Sequence, residues 1–131
     1  MFFSGNDKHR LPAIPAGGIA SPICLESGEL GAATSKDVMG GTIIKHPSTG
    51  VVIQGTILPY WQEALAMVTS AHEMFKKFKL LGWDVGFSEF GPVILEANRN
   101  LDIVLSQKPG SRPIGSTRFA GLCREWLNDR P

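Results

Sequence analysis

Residues 82–98 read GWDVGFSEFGPVILEAN, and this stretch decides the fold. Apolar side chains alternate with small or polar ones in both halves, which is typical of two strands that each have one apolar face. The halves are separated by Glu89-Phe90-Gly91, and a three-residue loop often ends in a glycine with positive φ. The stretch therefore predicts an antiparallel hairpin in which Ser88 lies opposite Pro92, with a positive φ at Gly91.

This register places two carboxylates on one face, because Asp84 then lies opposite Glu96, and Asn98 follows one step along that face. The other face is expected to bring together six apolar side chains: Trp83, Val85 and Phe87 opposite Ala97, Leu95 and Val93. Opposed carboxylates have Cβ atoms about 5 Å apart and repel each other, so they share either a proton or a cation. An amide oxygen suits a shared cation better, and Mg2+ prefers oxygen ligands. The face is therefore either a magnesium site or a solvated polar surface.

The hairpin belongs to an ordered series of motifs. The series comprises AGGI at 16–19, GEL at 28–30, HPSTG at 46–50, PYWQEA at 59–64, GWDV at 82–85, GPV at 91–93 and EAN at 96–98. An Asp followed by Glu-x-Asn is a weak pattern by itself, but the whole series, with a helix-length interval between Trp61 and Trp83, is far more specific. Through this series the chain resembles the sugar-transfer-associated ATP-grasp family, from about Gly17 to Gln107.

The resemblance implies an ATP-dependent carboxylate ligase that acts through an acyl-phosphate intermediate. Asp84, Glu96 and Asn98 would hold Mg2+ or Mn2+ on the β- and γ-phosphates of ATP, the co-substrate, with Glu96 able to bridge two metal ions. Arg99 follows these ligands directly and is a candidate catalytic residue that contacts a phosphate; the alternative is an ordinary surface arginine. A small carboxylate would be the second substrate, and a role in polysaccharide-associated biosynthesis is a further implication.

The resemblance covers only the second of the two lobes of an ATP-grasp unit. In the family the first lobe supplies phosphate-binding lysines and part of the adenine pocket, and residues 1–15 are too few to build it. The chain is therefore expected to be a C-terminal fragment, a split gene product or a truncated relative, inactive until the missing N-terminal lobe joins it. Two alternatives are a non-catalytic fragment that binds metal or a partner lobe, and a structural domain with a decayed site.

Composition points to one modest domain over residues 1–131, with an irregular arm over residues 1–16. The formal net charge of +1 gives no reason to expect nucleic acid or an anionic membrane as a partner. The start lacks the features of a signal peptide, and no segment is apolar for long enough to span a bilayer. Cys24 and Cys123 lie far apart in sequence, so we interpret them as reduced thiols of a cytoplasmic protein.

The expected fold class is α+β: an antiparallel sheet with two packed helices, similar to the C-terminal lobe of an ATP-grasp domain. A helix is predicted over Pro59–Lys79, and a final helix with Ser116 as its N-cap. The first helix should bury one stripe against the hairpin: Trp61, Leu65, Val68 and Phe75 against Trp83, Val85 and Leu95. His72 lies on this stripe and is interpreted as a packed residue, whereas His46 precedes a proline and is interpreted as a turn residue.

Overall fold

The computed structural model describes residues 2–3, 18–35, 41–100, 107 and 113–128. The described residues up to Leu58 form one compact unit, and those from Pro59 onward form a second. The elements are strands β1 (Phe2–Phe3), β2 (Ile19–Ala20) and β3 (Thr34–Ser35), helix α1 (Trp61–Glu73), strands β4 (Gly82–Ser88) and β5 (Gly91–Asn98), a 3-10 turn (Ile114–Ser116) and helix α2 (Arg118–Asn128). Within the described residues β1, β2 and β3 form one antiparallel sheet in that order, and β4 pairs with β5 in another. The α+β class with antiparallel sheets is therefore confirmed.

Two predictions about domain organisation extend beyond these residues. Apart from Phe2–Phe3, which pairs with β2, the predicted irregular arm over residues 1–16 lies outside the described residues. A single domain over residues 1–131 stays a prediction. Within the part of the chain that the structure describes, no helix is long and apolar enough to cross a membrane.

The first unit is built from short strand pieces around a small apolar core. Its buried apolar residues are Ile19, Ala20, Leu30, Ala33, Ile53 and Leu58. The chain turns at residues 25–27, and the two flanking segments approach closely at Pro22 and Gly31, where a Cβ added to Gly31 would lie 2.7 Å from Pro22 Cγ. The Ser21 hydroxyl, also buried, donates to the carbonyl of Gly31 at 2.6 Å, so this polar group is satisfied.

His46 shapes the turn that it was predicted to occupy. Its Nδ1 accepts the backbone N–H groups of Ser48 and Thr49, each at 3.3 Å. Gly50, with φ of 70°, closes the turn by donating its N–H to the carbonyl of His46 at 2.8 Å. The imidazole therefore accepts turn amides in the way that Asn and Asp side chains commonly do.

Helix α1 begins after a residue in the left-handed region, Tyr60, whose φ is 55°. Non-glycine residues seldom adopt this conformation, and it persists where the surroundings fix it. The carbonyl of Tyr60 accepts the N–H of Ala64 at 2.9 Å, and its hydroxyl donates to the carbonyl of Glu89 at 3.2 Å. One residue thus connects the start of the helix to the hairpin turn.

Helix α1 ends at Glu73, six residues before the predicted end at Lys79. The N–H of Phe75 donates to the carbonyl of His72 at 2.8 Å, a 3-10-type hydrogen bond that is common in the last turn of a helix. His72 Nε2 also lies 3.0 Å from the carbonyl of Phe78. In a continuous helix these residues would be about 9 Å apart along the axis, so the bond requires the chain to leave the helix.

The hairpin differs from its predicted register at the loop. Ser88 pairs with Gly91 rather than Pro92, so the loop has two residues, not three. Gly91 has φ of 120°, which confirms the positive φ predicted for it. Between Asp84 and Val85 the register shifts by one, and Leu95 is the extra residue of a β-bulge. The two differences cancel, so beyond the bulge the strands pair as predicted.

Between the loop and the bulge, the predicted apolar face is wrong. There the register is one residue off the predicted one, so Val85 pairs with Ile94 and Gly86 pairs with Val93. A shift of one residue exchanges the two faces of a strand, so Ile94 shares the face of Val85 and Val93 lies on the other face. Leu95 is 67% exposed, and its side chain lies beside the Cα of Gly86, where an added Cβ would be 3.5 Å from Leu95 Cδ1. The predicted burial of Leu95 is therefore wrong, and Ile94 takes its place.

Helix α1 packs against β5, with Ala64 as its fully buried side chain. The remaining members of the predicted contact are half buried: Trp61, Leu65, Val68, Trp83 and Val85. Phe75 is 38% exposed, so its predicted burial is wrong, but its ring meets the edge of Trp83 with centroids 5.9 Å apart. The stripe is thus a partly covered face rather than a closed core.

Helix α2 is capped by Thr117, not by Ser116 as predicted. Thr117 Oγ1 accepts the N–H of Phe119 at 3.3 Å, the usual bond from an N-cap side chain to the second helical residue. The Ser116 hydroxyl instead donates to the carbonyl of Pro113 within the 3-10 turn, at 2.7 Å. Along the helix, Phe119 and Trp126 meet edge to face with centroids 6.3 Å apart.

Candidate metal centre

The two predicted carboxylate ligands lie side by side at the open end of the hairpin. Asp84 of β4 pairs with Glu96 of β5, and paired residues of antiparallel strands direct their side chains to the same face. Their Cβ atoms are then about 5 Å apart. Asp84 is half buried and Glu96 is exposed, so the pair is open to solvent from one side.

The bulge is what brings Glu96 to this face. If the register of the loop end continued through Leu95 without a bulge, Glu96 would lie opposite Trp83, on the apolar face. Bulges commonly redirect a side chain next to a functional site in this way. The arrangement of the carboxylates therefore depends on an irregularity that strict alternation does not contain.

Asn98 completes the set from the next position on the same face. Its Nδ2 donates to Asp84 Oδ2 at 3.5 Å, a long hydrogen bond, and the residue is half buried. Asn98 pairs with Gly82, which carries no side chain to cover the amide. The amide nitrogen faces Asp84 in this arrangement, and metal ligation would use the oxygen at the other end of the same amide.

The donor set fits a hard divalent cation. Two carboxylates and one amide supply oxygen ligands alone, which suits Mg2+ or Mn2+ and disfavours metals that prefer thiolate or imidazole. Within the described ranges, no three side chains among His, Cys, Asp and Glu come together as a metal cage. A cation here would therefore take its remaining ligands from water or from phosphate oxygens, as Mg2+ commonly does.

Arg99 lies directly after these ligands, and its guanidinium packs on an aromatic ring. Its Cζ is 5.0 Å from the centroid of Phe78, and Lys77 Nζ lies at the same distance from that ring. Arg99 is exposed, so the contact holds the side chain near the end of β5 while the guanidinium stays accessible. Its contact with a phosphate stays a prediction.

The sequence did not reveal a polar network behind the site. Trp83 Nε1 donates to His72 Nδ1 at 3.3 Å, and His72 Nε2 lies 3.0 Å from the carbonyl of Phe78. His72 was predicted to be a packed residue, which agrees with its half-buried position, but both partners were missed. His72 lies in helix α1 and Trp83 in strand β4, so periodicity within one element carries no signal for this contact.

The thiol of Cys24 lies in the first unit, in a turn whose polar groups act on it. Cys24 is exposed, and the pKa of its thiol lies below the usual value because of hydrogen bonds from the Ser27 side chain, and then from the backbone at Ser27 and Glu26. Cys123 is half buried, and both cysteines are free, as predicted for reduced thiols.

Comparison with protein families gives one match. The model of the sugar-transfer associated ATP-grasp family matches residues 4–116, which is most of the chain and includes the whole hairpin and Arg99. Comparison with curated proteins and with solved structures found no match.

Proposed function

Because the chain belongs to the sugar-transfer-associated ATP-grasp family, we propose that it provides the metal-binding part of an ATP-dependent carboxylate ligase. Family membership supports the general class, an ATP-binding domain of the ligase type. The observation that carries the finer proposal is the pairing of Asp84 with Glu96 across the hairpin, with the Asn98 amide bonded to Asp84.

In the proposed reaction, a carboxylate oxygen of the substrate attacks the γ-phosphorus of ATP. The bond from that phosphorus to the bridging oxygen breaks, which releases ADP and leaves an acyl phosphate. An amine or another nucleophile then attacks the acyl carbon, and inorganic phosphate leaves. The protein's task in such a transfer is to position the groups and balance their charge.

The residues of the hairpin fit this task. Asp84 and Glu96 would hold Mg2+ or Mn2+, which neutralises charge on the β- and γ-phosphate oxygens when bound. Without a cation the two carboxylates repel each other, so binding relieves an unfavourable contact that the fold itself creates. The Asn98 amide donates a long hydrogen bond to one oxygen of the Asp84 carboxylate, which favours that orientation of the Asp84 side chain. Arg99 would add a positive charge beside the phosphates.

A second lobe is part of the proposal. The lobe that the chain resembles holds metal, and the family uses another lobe to grip phosphates with lysines. Such a lobe would bind ATP against the hairpin, and we expect turnover only in its presence. The reaction would serve sugar-transfer chemistry in the cytoplasm, with polysaccharide-associated biosynthesis as its setting.

Metal binding by the chain is tested by titrating Mn2+ and recording the electron paramagnetic resonance signal of the free ion, with and without a non-hydrolysable ATP analogue. Asp84→Asn and Glu96→Gln should each weaken binding by about tenfold or more, because the charge of the ligands sets the affinity for hard cations. Glu89→Gln is the matched control, since Glu89 is an exposed carboxylate of the same hairpin at its loop.

The comparison has a clear negative result. If Asp84→Asn and Glu96→Gln bind Mn2+ as tightly as Glu89→Gln, while circular dichroism shows all three folded, the hairpin face is an ordinary polar surface. Mn2+ binding that depends on Asp84 and Glu96, without turnover when an ATP-grasp partner lobe is added, would instead favour a non-catalytic metal-binding fragment.

A further inference from the structure

His72 connects two segments that lead into the ligand-bearing strands. The Trp83 indole can only donate, so His72 Nδ1 must accept the hydrogen bond from Trp83 Nε1 at 3.3 Å. A carbonyl can only accept, so His72 Nε2 must donate to Phe78 O at 3.0 Å. The two partners therefore assign the imidazole to its neutral form with the proton on Nε2, and both ring nitrogens are used.

Both partners of His72, Trp83 and Phe78, are connected to residues next to the proposed ligands. Trp83 immediately precedes Asp84 on β4, and its side chain points to the opposite face. The ring of Phe78 carries the guanidinium of Arg99 at 5.0 Å, and Arg99 immediately follows Asn98 on β5. The open ends of both strands are thus tied, through side chains, to the turn that follows helix α1.

The strand pairing by itself holds the open end of the hairpin only weakly. Within the described residues, β4 and β5 pair only with each other, and an isolated two-stranded ribbon is marginally stable. The bulge at Leu95 interrupts the ladder between the loop and the pair formed by Asp84 and Glu96. The ligand pair is therefore separated from the regular pairing at the loop by a local irregularity of the ladder.

The Trp83 ring is fixed from two directions by helix α1 and the turn after it. The His72 ring lies tilted at 58° to it with centroids 6.1 Å apart, and Phe75 meets it edge to face at 5.9 Å. His72, Phe78 and Trp83 are all half buried, so these contacts are partly shielded from water.

We infer that His72 is a positioning residue for the hairpin site: by accepting from Trp83 and donating to Phe78, it holds the backbone that carries Asp84, and more weakly that of Asn98, in the geometry for a cation. The inference rests on the proposed metal site for its functional consequence. The positional part, the dependence of the Asp84 backbone on His72, stands independently of that site.

Two substitutions separate the two hydrogen bonds. In His72→Gln the amide nitrogen takes the place of Nε2 and can still donate to Phe78, but the acceptor for Trp83 is lost. In His72→Asn the amide oxygen takes the place of Nδ1 and can still accept from Trp83, but the donor to Phe78 is lost. Trp83→Phe removes the indole donor and keeps an aromatic ring.

The first readout is the set of nitrogen–proton resonances of the full chain in two-dimensional NMR. The indole resonance of Trp83 is the one lost in Trp83→Phe. It should shift and exchange faster with water in His72→Gln, and stay near its wild-type position in His72→Asn. The resonance of the Asp84 backbone amide should shift in the same variant as the indole resonance, His72→Gln, and not in His72→Asn. A matched control is Thr69→Ala, which removes an exposed side-chain bond to Leu65 on the same helix and should leave Asp84 unmoved.

The second readout is the dissociation constant for Mn2+. His72→Gln should raise it by about tenfold, the lower end of the effect of changing a residue behind metal ligands, because His72 acts through Trp83 rather than on a ligand itself. The double variant of His72→Gln with Trp83→Phe should be no worse than either single one, since both remove the same bond.

The possible outcomes distinguish the positioning role of His72 from the proposed metal site. An Asp84 amide that is unchanged in His72→Gln overturns the positioning role, whatever the metal does. Mn2+ binding that Glu96→Gln weakens but His72→Gln leaves equal to Thr69→Ala also overturns it, while the metal site stands. A wild-type chain that binds no Mn2+ removes the proposed function, and the movement of the Asp84 amide then decides the positional inference alone.

Discussion

Glu96→Gln should have opposite effects on stability with and without divalent metal. The substitution keeps the shape of the side chain and removes one of two opposed negative charges. Two charges about 5 Å apart interact by roughly 1 kcal/mol in a medium as polarisable as water, and by about 3 kcal/mol at an effective dielectric constant near 20. Because Glu96 is exposed and Asp84 only half buried, the lower figure applies, and side-chain rotation reduces it further.

In EDTA we therefore expect Glu96→Gln to raise the free energy of unfolding by about 0.5–1 kcal/mol. For a chain of this size that corresponds to a melting temperature about 2–5 °C higher. The gain should shrink in 1 M salt, where the screening length falls to about 3 Å.

Added metal should make the wild-type chain more stable than Glu96→Gln. A cation at ten times its dissociation constant stabilises the wild-type protein by RT ln 11, about 1.4 kcal/mol, and stabilises a variant that binds weakly far less. In saturating Mg2+ or Mn2+ the wild-type chain should therefore melt above Glu96→Gln.

The assay is thermal unfolding followed by tryptophan fluorescence, in EDTA and across a metal titration, with Glu89→Gln as the charge-matched control. Glu89 is at the loop, far along the strand from Asp84, so its neutral variant should show neither the gain nor the reversal. The reasoning is refuted if Glu96→Gln is no more stable than wild type in EDTA, or if metal raises both melting temperatures equally.

Three further predictions concern local structure. Thr117→Ala should cost about 1 kcal/mol in circular dichroism melts and Ser116→Ala less than half of that, because only Thr117 caps α2; equal losses would contradict the assignment. Cys24 should be alkylated by iodoacetamide at lower pH than an ordinary thiol. Ser27→Ala should shift that pH profile upward, because the lost hydrogen bond raises the pKa of the thiol; an unchanged profile would remove Ser27 as the cause. Deletion of Leu95 should remove the bulge while keeping Asp84 and Glu96 paired, so Mn2+ binding should persist; its loss would show that the bulge itself orients Glu96.

In the hairpin, the alternation of apolar and polar residues predicted part of the structure. Period-two patterning predicted both strands, and the register set by the predicted three-residue loop placed Asp84 opposite Glu96. That pairing is observed because the shorter loop and the bulge cancel. The loop length and the bulge were missed. Val93, Ile94 and Leu95 are three consecutive apolar residues, and such a run does not indicate which members face the helix.

Helix boundaries show a second limit. The apolar stripe predicted helix α1, but it continues in the sequence past the residue where the helix ends. The helix ends at Glu73, and the bond between His72 and the carbonyl of Phe78 forms only because the chain has turned there. At α2, Ser116 and Thr117 are both good caps in sequence, and the hydrogen-bonded 3-10 turn before them decides between the two.

The sequence by itself determined the family, the α+β class and the residues that form the candidate metal site, because these depend on residue types and on spacings along one continuous stretch of chain. Only the tertiary structure decided that Ile94 replaces Leu95 on the covered face, and that His72 joins Trp83 to Phe78. The physical reason is that a face and a hydrogen bond are relations between segments. Packing selects among registers and side-chain partners that local pattern leaves nearly equal in energy.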